Sequence, residues 1–248
     1  MSQRAKITAV LALFASAALP SLGWAASGGA GIGGGAGGGG AGGSVRPGNV
    51  AVSATSDGIT IATRASALLR NGLTFTGTAP RSDAGNTVEI ERLGHETGWT
   101  WAQTVTATIA HNGSFTGVWN TNHIGEFSIR AVLQSSAAAA AAPPTVTVTV
   151  YRPSLATIYG PGFWGQRTAC GEKLNRATLG VANRTLKCGT KVGLYYHGRT
   201  LIVPVIDRGP YANGADWDLT EATAKALGIP GTATIGAVSL PVAPGATG

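Results

Sequence analysis

The sequence predicts an all-β protein with one minor helix, in which an N-terminal β-sandwich is followed by a small β-barrel. Between residues 45 and 150, short β-branched or alternating runs recur with turn residues between them, which is typical of an antiparallel sandwich. After Pro153 both cysteines appear, and a single helix stands among at least four strand-like runs. That second pattern favours a compact barrel over a sandwich.

Residues 1–26 have the features of a secretory signal peptide. Arg4 and Lys6 form a short basic start, an apolar run follows from 7 to 19, and small residues precede a cleavage point after Ala26. The apolar run is too short to span a membrane. We therefore expect an exported bacterial protein, extracellular or periplasmic, with no transmembrane segment in the mature chain and no cysteine placed for lipid attachment.

The next residues, 27–44, are almost only glycine and alanine. They offer too little apolar side chain to offset the entropy of ordering a backbone, so a flexible linker is expected. The sandwich at 45–150 is interpreted as an immunoglobulin-like module, with an alanine-rich connection at 135–144. Its strands are predicted at 59–61, 73–76, 88–91, 104–109, 115–119, 127–132 and 145–150.

Three tryptophans of the sandwich, Trp99, Trp101 and Trp119, have two interpretations. Strand tryptophans usually pack in a core or across strands, but three of them could also form a face on which sugar rings stack. The sequence leaves this choice open.

The barrel is predicted at 154–241, followed by a tail at 242–248. A helix is expected with Thr220 as its N-cap, Glu221 in its first turn and Gly228 as its end. Strands are predicted at 157–159, 191–196, 200–206 and 234–240.

Cys170 and Cys188 are the only cysteines of the chain. In an exported protein two thiols usually pair, so a disulfide is predicted. A metal or redox pair lacks support, because there is no C-x-x-C and no histidine stands at ligand spacing from either cysteine. No metal and no cofactor are expected.

Residues 160–165, GPGFWG, match the G-x-G-x-x-G pattern of dinucleotide-binding loops. No helix opens after them and no βαβ unit surrounds them, so a nucleotide ligand is not expected. From residue 154 to the end there are nine Lys/Arg against five Asp/Glu. Outside a cell this excess suits an anionic wall polymer or a membrane surface better than nucleic acid, although a generally basic surface is an alternative.

The acids of the barrel region all have ordinary structural roles open to them. Asp207 can bond to the backbone of its own turn, Asp218 can cap the helix, and Glu172 can pair with a nearby lysine. Glycosidic cleavage, however, needs a carboxyl group in a groove that donates a proton to the leaving oxygen. Residue spacing alone does not decide between these roles.

Four motifs follow one another in the barrel region: IYGPGFWGQRTACGE at 158–172, NRTLKCGTKV at 183–192, DRGPY at 207–211 and DLT at 218–220. In this order they resemble the double-psi β-barrel of the rare lipoprotein A family, bacterial septal lytic transglycosylases that are distantly similar to the barrel of expansins. The resemblance runs from Ser154 to near Leu240. It implies a six-stranded barrel with a surface groove for glycan strands.

The resemblance also implies roles for individual residues. Asp207 matches the expected general acid/base, and Glu172 matches the glutamate of the Gly-Glu motif. Asn183 stands where many members have a histidine, which loses a titratable group but keeps a hydrogen-bond donor and acceptor. The expected substrate contacts come from residues of the same motifs: Tyr159, Phe163 and Trp164 by stacking on sugar rings, and Arg208 and Asp218 as polar partners.

Three functions remain open at this point. The first is an exported lytic transglycosylase that cleaves peptidoglycan between muramic acid and glucosamine, with Asp207 as general acid/base and Glu172 and Asn183 orienting the substrate. The second is a non-catalytic, expansin-like protein that binds glycan or loosens the wall, which Asn183 favours. The third is a barrel that binds a partner protein, with the sandwich as an adhesin.

Overall fold

The structure, a computed structural model, describes residues 43–134 and 142–241. The predicted signal peptide, most of the predicted linker, the alanine-rich tract up to residue 141 and the predicted tail lie outside the described residues.

The described residues are almost all β, with one α-helix, α1 (Glu221–Leu227), and short 3-10 turns at Arg81–Asp83, His95–Thr97 and Pro161–Phe163. The strands of the N-terminal region are β1 Arg46–Pro47, β2 Ala51–Ser56, β3 Ile59–Arg64, β4 Ser66–Leu68, β5 Gly72–Thr78, β6 Thr87–Leu93, β7 Ala102–Thr108, β8 Ser114–Asn120 and β9 Gly125–Leu133. The remaining strands are β10 Thr145–Ile158, β11 Val181–Ala182, β12 Lys191–Tyr196, β13 Arg199–Asp207, β14 Trp217–Leu219 and β15 Ala233–Ser239.

Two sheets pack face to face in the N-terminal region. One has the order β2-β3-β5-β8, and the other has the order β10-β9-β6-β7 with β4 parallel to β10. Alternate side chains of β5 and β9 point inward, so that Phe75 and Phe127 are fully buried in one shared core. This is a β-sandwich in architecture; the immunoglobulin-like assignment stays a prediction.

The C-terminal region closes into a mixed six-stranded barrel. Its strand order is β10-β14-β11-β13-β12-β15, and β15 pairs again with β10. The pairs β10–β14 and β11–β13 are parallel and the others are antiparallel. Leu194, Leu201 and Leu219 lie in its separate core. The predicted fold class, all-β with a minor helix and a six-stranded barrel, is confirmed.

The predicted helix is confirmed with its caps. The Thr220 side chain accepts a hydrogen bond from the backbone N–H of Thr223, and Gly228 ends the helix in the left-handed region at φ +76°. Asp218 was a possible cap, but it lies within β14 and caps nothing. Thr220 caps the start of the helix, because its short hydroxyl reaches the backbone N–H groups of the first turn from the N-cap position.

Strand β10 passes through Pro153 without a break and belongs to both regions. Its first half pairs with β9, and its second half pairs with β15 and β14. A second connection comes from β1, which pairs with β13, while the Asn49 side chain accepts a hydrogen bond from the Tyr195 hydroxyl at 2.9 Å. The domain division at residues 150–154 therefore stays a prediction, crossed by one continuous strand.

Candidate catalytic site on the barrel

Asp207 is the last residue of β13, at the point where the barrel strand leaves the core. Its Oδ1 accepts hydrogen bonds from the backbone N–H groups of Ala169, at 2.7 Å, and Arg208, at 2.8 Å. Its Oδ2 accepts a hydrogen bond from the Tyr159 hydroxyl at 2.8 Å. Asp207 therefore supports its own turn, and it also joins two segments that are distant in sequence.

Tyr159 directly follows β10 and packs in a small apolar cluster with Leu174, Ala182 and Ile206. Burial and the hydrogen bond to Asp207 raise the pKa of its hydroxyl, so the group stays protonated and donates. Only 9% of the residue is exposed. The expectation that Tyr159 stacks on a sugar is therefore corrected, because the burial of its ring leaves it the role of a positioning donor to Asp207.

Phe163 offers the exposed aromatic ring of this cluster. Its ring stands edge-on to Tyr159, with centroids 5.7 Å apart, and 49% of the residue is exposed. Trp164 is half-buried against the same cluster, and the Arg176 guanidinium lies 5.9 Å from its ring centroid. Of the three predicted stacking residues, Phe163 has the most free surface.

Asp218 lies on β14, directly across from Thr157 of the parallel strand β10. Its Oδ1 accepts a hydrogen bond from the Thr157 hydroxyl at 2.9 Å. Burial raises the pKa of the Asp218 carboxyl, the Thr157 hydrogen bond lowers it, and the negative charge of Asp207 raises it further, for a net increase. The two carboxyl groups are thus coupled electrostatically.

Glu172 is exposed on a loop that is tied to Asp207 indirectly. Its backbone pairs with Thr168, and the neighbouring Ala169 N–H donates to Asp207. The predicted disulfide between Cys170 and Cys188 is confirmed and anchors this loop to the segment before β12. Within the described residues no ion pair involves Glu172, so the lysine pairing expected as one alternative is not found.

Asn183 uses its side chain to hold a turn. Its Oδ1 accepts hydrogen bonds from the backbone N–H groups of Thr185, at 3.1 Å, and Leu186, at 2.9 Å. Its own backbone N–H donates to the carbonyl oxygen of Asp207 at 3.2 Å. Asn183 is therefore a neighbour of Asp207 through the backbone, with its amide oxygen already engaged.

Arg208 points its guanidinium toward the protein. Nη1 donates to the Asn183 carbonyl oxygen at 3.4 Å, and Nη2 donates to Cys188 Sγ at 3.4 Å. This side chain links the turn after Asp207 to the disulfide. Its observed contacts are structural ones.

Sequence reasoning missed two groups at this site, the Thr157 hydroxyl and the Ala169 N–H. Thr157 meets Asp218 only because β10 and β14 pair, and the three residues of β14 give no visible strand pattern. The Ala169 donor is a backbone group, so residue identity carries no signal for it.

The described parts of the chain contain no group of three or more His, Cys, Asp or Glu placed to hold a metal ion. Across 43–134 and 142–241, no helix is long and apolar enough to cross a membrane.

Comparison with known proteins locates the similarity in the barrel. A family model described as "Lytic transglycolase" matches residues 154–240. A probable endolytic peptidoglycan transglycosylase RlpA of Synechocystis sp. is 41% identical over 85 residues, which are 34% of this chain and 26% of that protein. A probable endolytic peptidoglycan transglycosylase RlpA of Aquifex aeolicus is 42% identical over 81 residues, which are 32% of this chain and 36% of that protein.

Among solved structures, Streptomyces papain inhibitor is 26% identical and aligns with a TM-score of 0.31, over 36% of this chain and 93% of that one. The chain spans little more than a third, at most, of the two RlpA relatives that it matches. The barrel region belongs to the RlpA-like double-psi β-barrel family.

Proposed function

We propose that this protein is an exported wall-remodelling enzyme, a lytic transglycosylase that cleaves peptidoglycan between its muramic acid and glucosamine units. The observation that supports this most is the Asp207 carboxylate, which a buried hydroxyl and two backbone N–H groups hold in place beside the second carboxyl, Asp218. The family of the barrel and the names of its relatives point to the same chemistry.

In the proposed reaction the proton is held next to Asp207, on Asp218, because burial and the negative charge of Asp207 raise the pKa of the Asp218 carboxyl. Two neighbouring carboxyl groups repel each other when both are ionised, so the pair retains a proton more readily than a single carboxyl group does. Asp207 passes this proton to the glycosidic oxygen as the bond between that oxygen and C1 breaks. The muramyl 6-hydroxyl oxygen then bonds to C1, and its proton returns to Asp207. The product is a 1,6-anhydro end, and no water is consumed.

The other site residues act around this pair. Tyr159 holds the carboxylate through its hydroxyl, and the exposed ring of Phe163 provides a surface on which a sugar can stack, with Trp164 nearby. Glu172, exposed on the loop whose Ala169 N–H donates to Asp207, orients the substrate. Asn183 and Arg208 keep the surrounding turns in place.

The experiment is mass spectrometry of the soluble products after the secreted form, residues 27–248, is incubated with purified peptidoglycan and with peptide-stripped glycan strands. We expect 1,6-anhydro ends from the parent protein and none from Asp207→Asn. Glu91→Gln, in the sandwich, is the matched control and should leave the products unchanged. Anhydro ends that persist in Asp207→Asn contradict the assignment.

A second candidate is an expansin-like protein that binds glycan without cleaving it. Asn183 favours this candidate, because a histidine is missing at that position and the amide oxygen is occupied by its own turn. Glycan binding without new sugar ends in the parent protein, with equal binding by Asp207→Asn, would select it.

A further inference from the structure

Two cavities lie side by side where the sandwich meets the barrel. One has a volume of about 560 Å³ and the other of about 290 Å³. Their linings share Ile124 of the sandwich side and Leu186, Val238 and Ser239 of the barrel side. Because these four residues line both cavities, the cavities are adjacent, and we call the pair the seam groove.

The barrel end of the seam groove adjoins the candidate catalytic turn. It is lined by Asn183, whose N–H donates to the Asp207 carbonyl oxygen, and by Arg184. The Arg184 guanidinium donates to the carbonyl oxygens of Pro210 and Ala215, in the turn that follows Asp207. The barrel end of the groove is therefore adjacent, through its wall residues, to the backbone of the turn that carries Asp207.

The sandwich end of the seam groove is lined by Trp99 and His95, whose rings meet edge to face at 6.4 Å. Trp99 has a φ of +61°, an uncommon conformation for a bulky residue, and its backbone N–H donates to the Gly94 carbonyl oxygen. Backbone strain of this kind is concentrated at functional sites.

The other two tryptophans of the sandwich are occupied. Trp119 is buried in the core with 5% of its surface exposed, and the Arg130 guanidinium covers the Trp101 ring at 4.1 Å. A common face of all three tryptophans, one of the two interpretations that the sequence left open, is therefore not found. Trp99 is half-buried and faces the groove, so it is the member of the three that has a ring available to a ligand.

We propose that the seam groove is a second glycan-binding site, in which Trp99 holds a sugar ring of the strand whose cleavage takes place at Asp207. Sugar rings present C–H groups on their faces and hydroxyls on their edges. The faces pack on an aromatic ring, and the hydroxyls form hydrogen bonds with polar groups in the wall of the groove. The groove supplies both kinds of wall, with Leu186 and Val238 as apolar residues and Thr190 and Ser239 as hydroxyl partners.

This inference rests on the proposed function for the identity of the polymer. It adds that the sandwich takes part in substrate binding, and that long strands are held at two places. A short fragment can reach only one of these places at a time, so affinity should increase with chain length.

The test measures binding by isothermal titration with the secreted form carrying Asp207→Asn, so that no cleavage intervenes. The probes are a peptide-free disaccharide and a peptide-free octasaccharide from peptidoglycan. We expect Trp99→Ala to weaken octasaccharide binding about tenfold and to weaken disaccharide binding much less, because the disaccharide can still bind at Asp207. Trp101→Ala, the matched control, should bind both as the parent does.

A second variant keeps the test valid if Trp99→Ala, at a strained position, does not fold. Ile124 is 38% exposed and lines both cavities, so Ile124→Glu should fold normally and still obstruct the groove. It should lose the same preference for the longer chain, with an unchanged melting temperature.

Two results would overturn the proposal. One is octasaccharide binding that neither Trp99→Ala nor Ile124→Glu weakens. The other is seen when the titration is repeated with an octasaccharide that still carries its stem peptides: a groove effect confined to that probe would assign the groove to peptide instead of sugar. Neither result depends on cleavage, so an inactive protein can pass this test and an active enzyme can fail it.

Discussion

The carboxylates of the sandwich and those of the barrel site are held by different kinds of partner. In the sandwich, Glu91 is paired with Arg130 at 2.6 Å, and Glu96 with Arg92 at 3.0 Å. In the barrel, Asp207 accepts hydrogen bonds from a tyrosine hydroxyl and backbone N–H groups, and Asp218 accepts one from a threonine hydroxyl.

This difference separates carboxylates that serve structure from those that can serve chemistry. A guanidinium partner favours the charged form of a carboxylate and keeps it charged. Neutral donors add no positive charge, although each hydrogen bond still favours the charged form, as the Thr157 hydroxyl does at Asp218; there, burial and the negative charge of Asp207 outweigh that effect. The raised pKa of Asp218, beside Asp207, fits the second situation.

Asp218→Asn tests the comparison most strongly. If the carboxyl pair shares the catalytic proton, this substitution should lower turnover about a thousandfold, because Asp207 then has no titratable partner. The Thr157 hydrogen bond can persist to the amide oxygen, so the fold should be kept. The readout is the rate of anhydro-end formation against pH, and a rate equal to the parent's would remove Asp218 from the mechanism.

The same variant has a readout in stability. The folded-state pKa of Asp218 lies above the 3.8 of a free aspartate, so the folded protein binds more protons than the unfolded chain between those two values. The free energy of unfolding contributed by this group is therefore present at low pH and is lost as pH rises through that interval. Urea unfolding at several pH values should show a flatter profile for Asp218→Asn; an unchanged profile would contradict the shift.

The disulfide comes next in expected effect. Replacing both Cys170 and Cys188 by alanine should lower the free energy of unfolding by about 3 kcal/mol in the chain-entropy account, given their sequence separation of 18. Activity should also fall, because the loop that brings the Ala169 N–H to Asp207 loses its anchor. Chemical denaturation measures the loss in the free energy of unfolding. Full activity in the folded variant would show that the loop keeps its position without the disulfide.

Tyr159→Phe should have a smaller effect, about a tenfold loss of turnover with little change in KM. The ring stays buried in its cluster, and only the hydrogen bond to Asp207 Oδ2 is lost. Tyr195→Phe is the control, since its hydroxyl bonds to Asn49 away from the site. Equal turnover in the two variants would mean that Asp207 needs no donor from Tyr159.

The smallest effect is expected in the sandwich. Arg130→Met removes both the partner of Glu91 and the guanidinium over the Trp101 ring, and should cost about 1 kcal/mol of stability. Glycan cleavage should be unchanged. A marked loss of cleavage with normal stability would mean that the two sets of carboxylates are less separate than the contacts indicate.

The sequence predicted most of the fold where one face of a strand is buried and the other is not. The alternating strands β5, β8 and β9 were found for that reason. The strand β2 was missed because none of its residues is fully buried, and β11 and β14 were missed because two or three residues are too few to form a pattern.

At the site, the resemblance identified Asp207 and the motif residues around it, but not how they contact one another. Tyr159 lies 48 residues before Asp207, and Thr157 lies 61 residues before Asp218. Each pair meets only when the barrel closes between β10 and β14. The role of Tyr159 as a donor and not a stacking platform depends on burial, which the local sequence does not reveal.

The strand shared by the two regions has a consequence for how this protein can evolve. Successive side chains of β10 face opposite sides, so one residue inserted or deleted near Pro153 would reverse the facing of Ala156, which is fully buried in the barrel core. A recombination that exchanged one region for a homologue would need to keep the parity of residues across this junction. Length changes should therefore be confined to loops on either side of the strand.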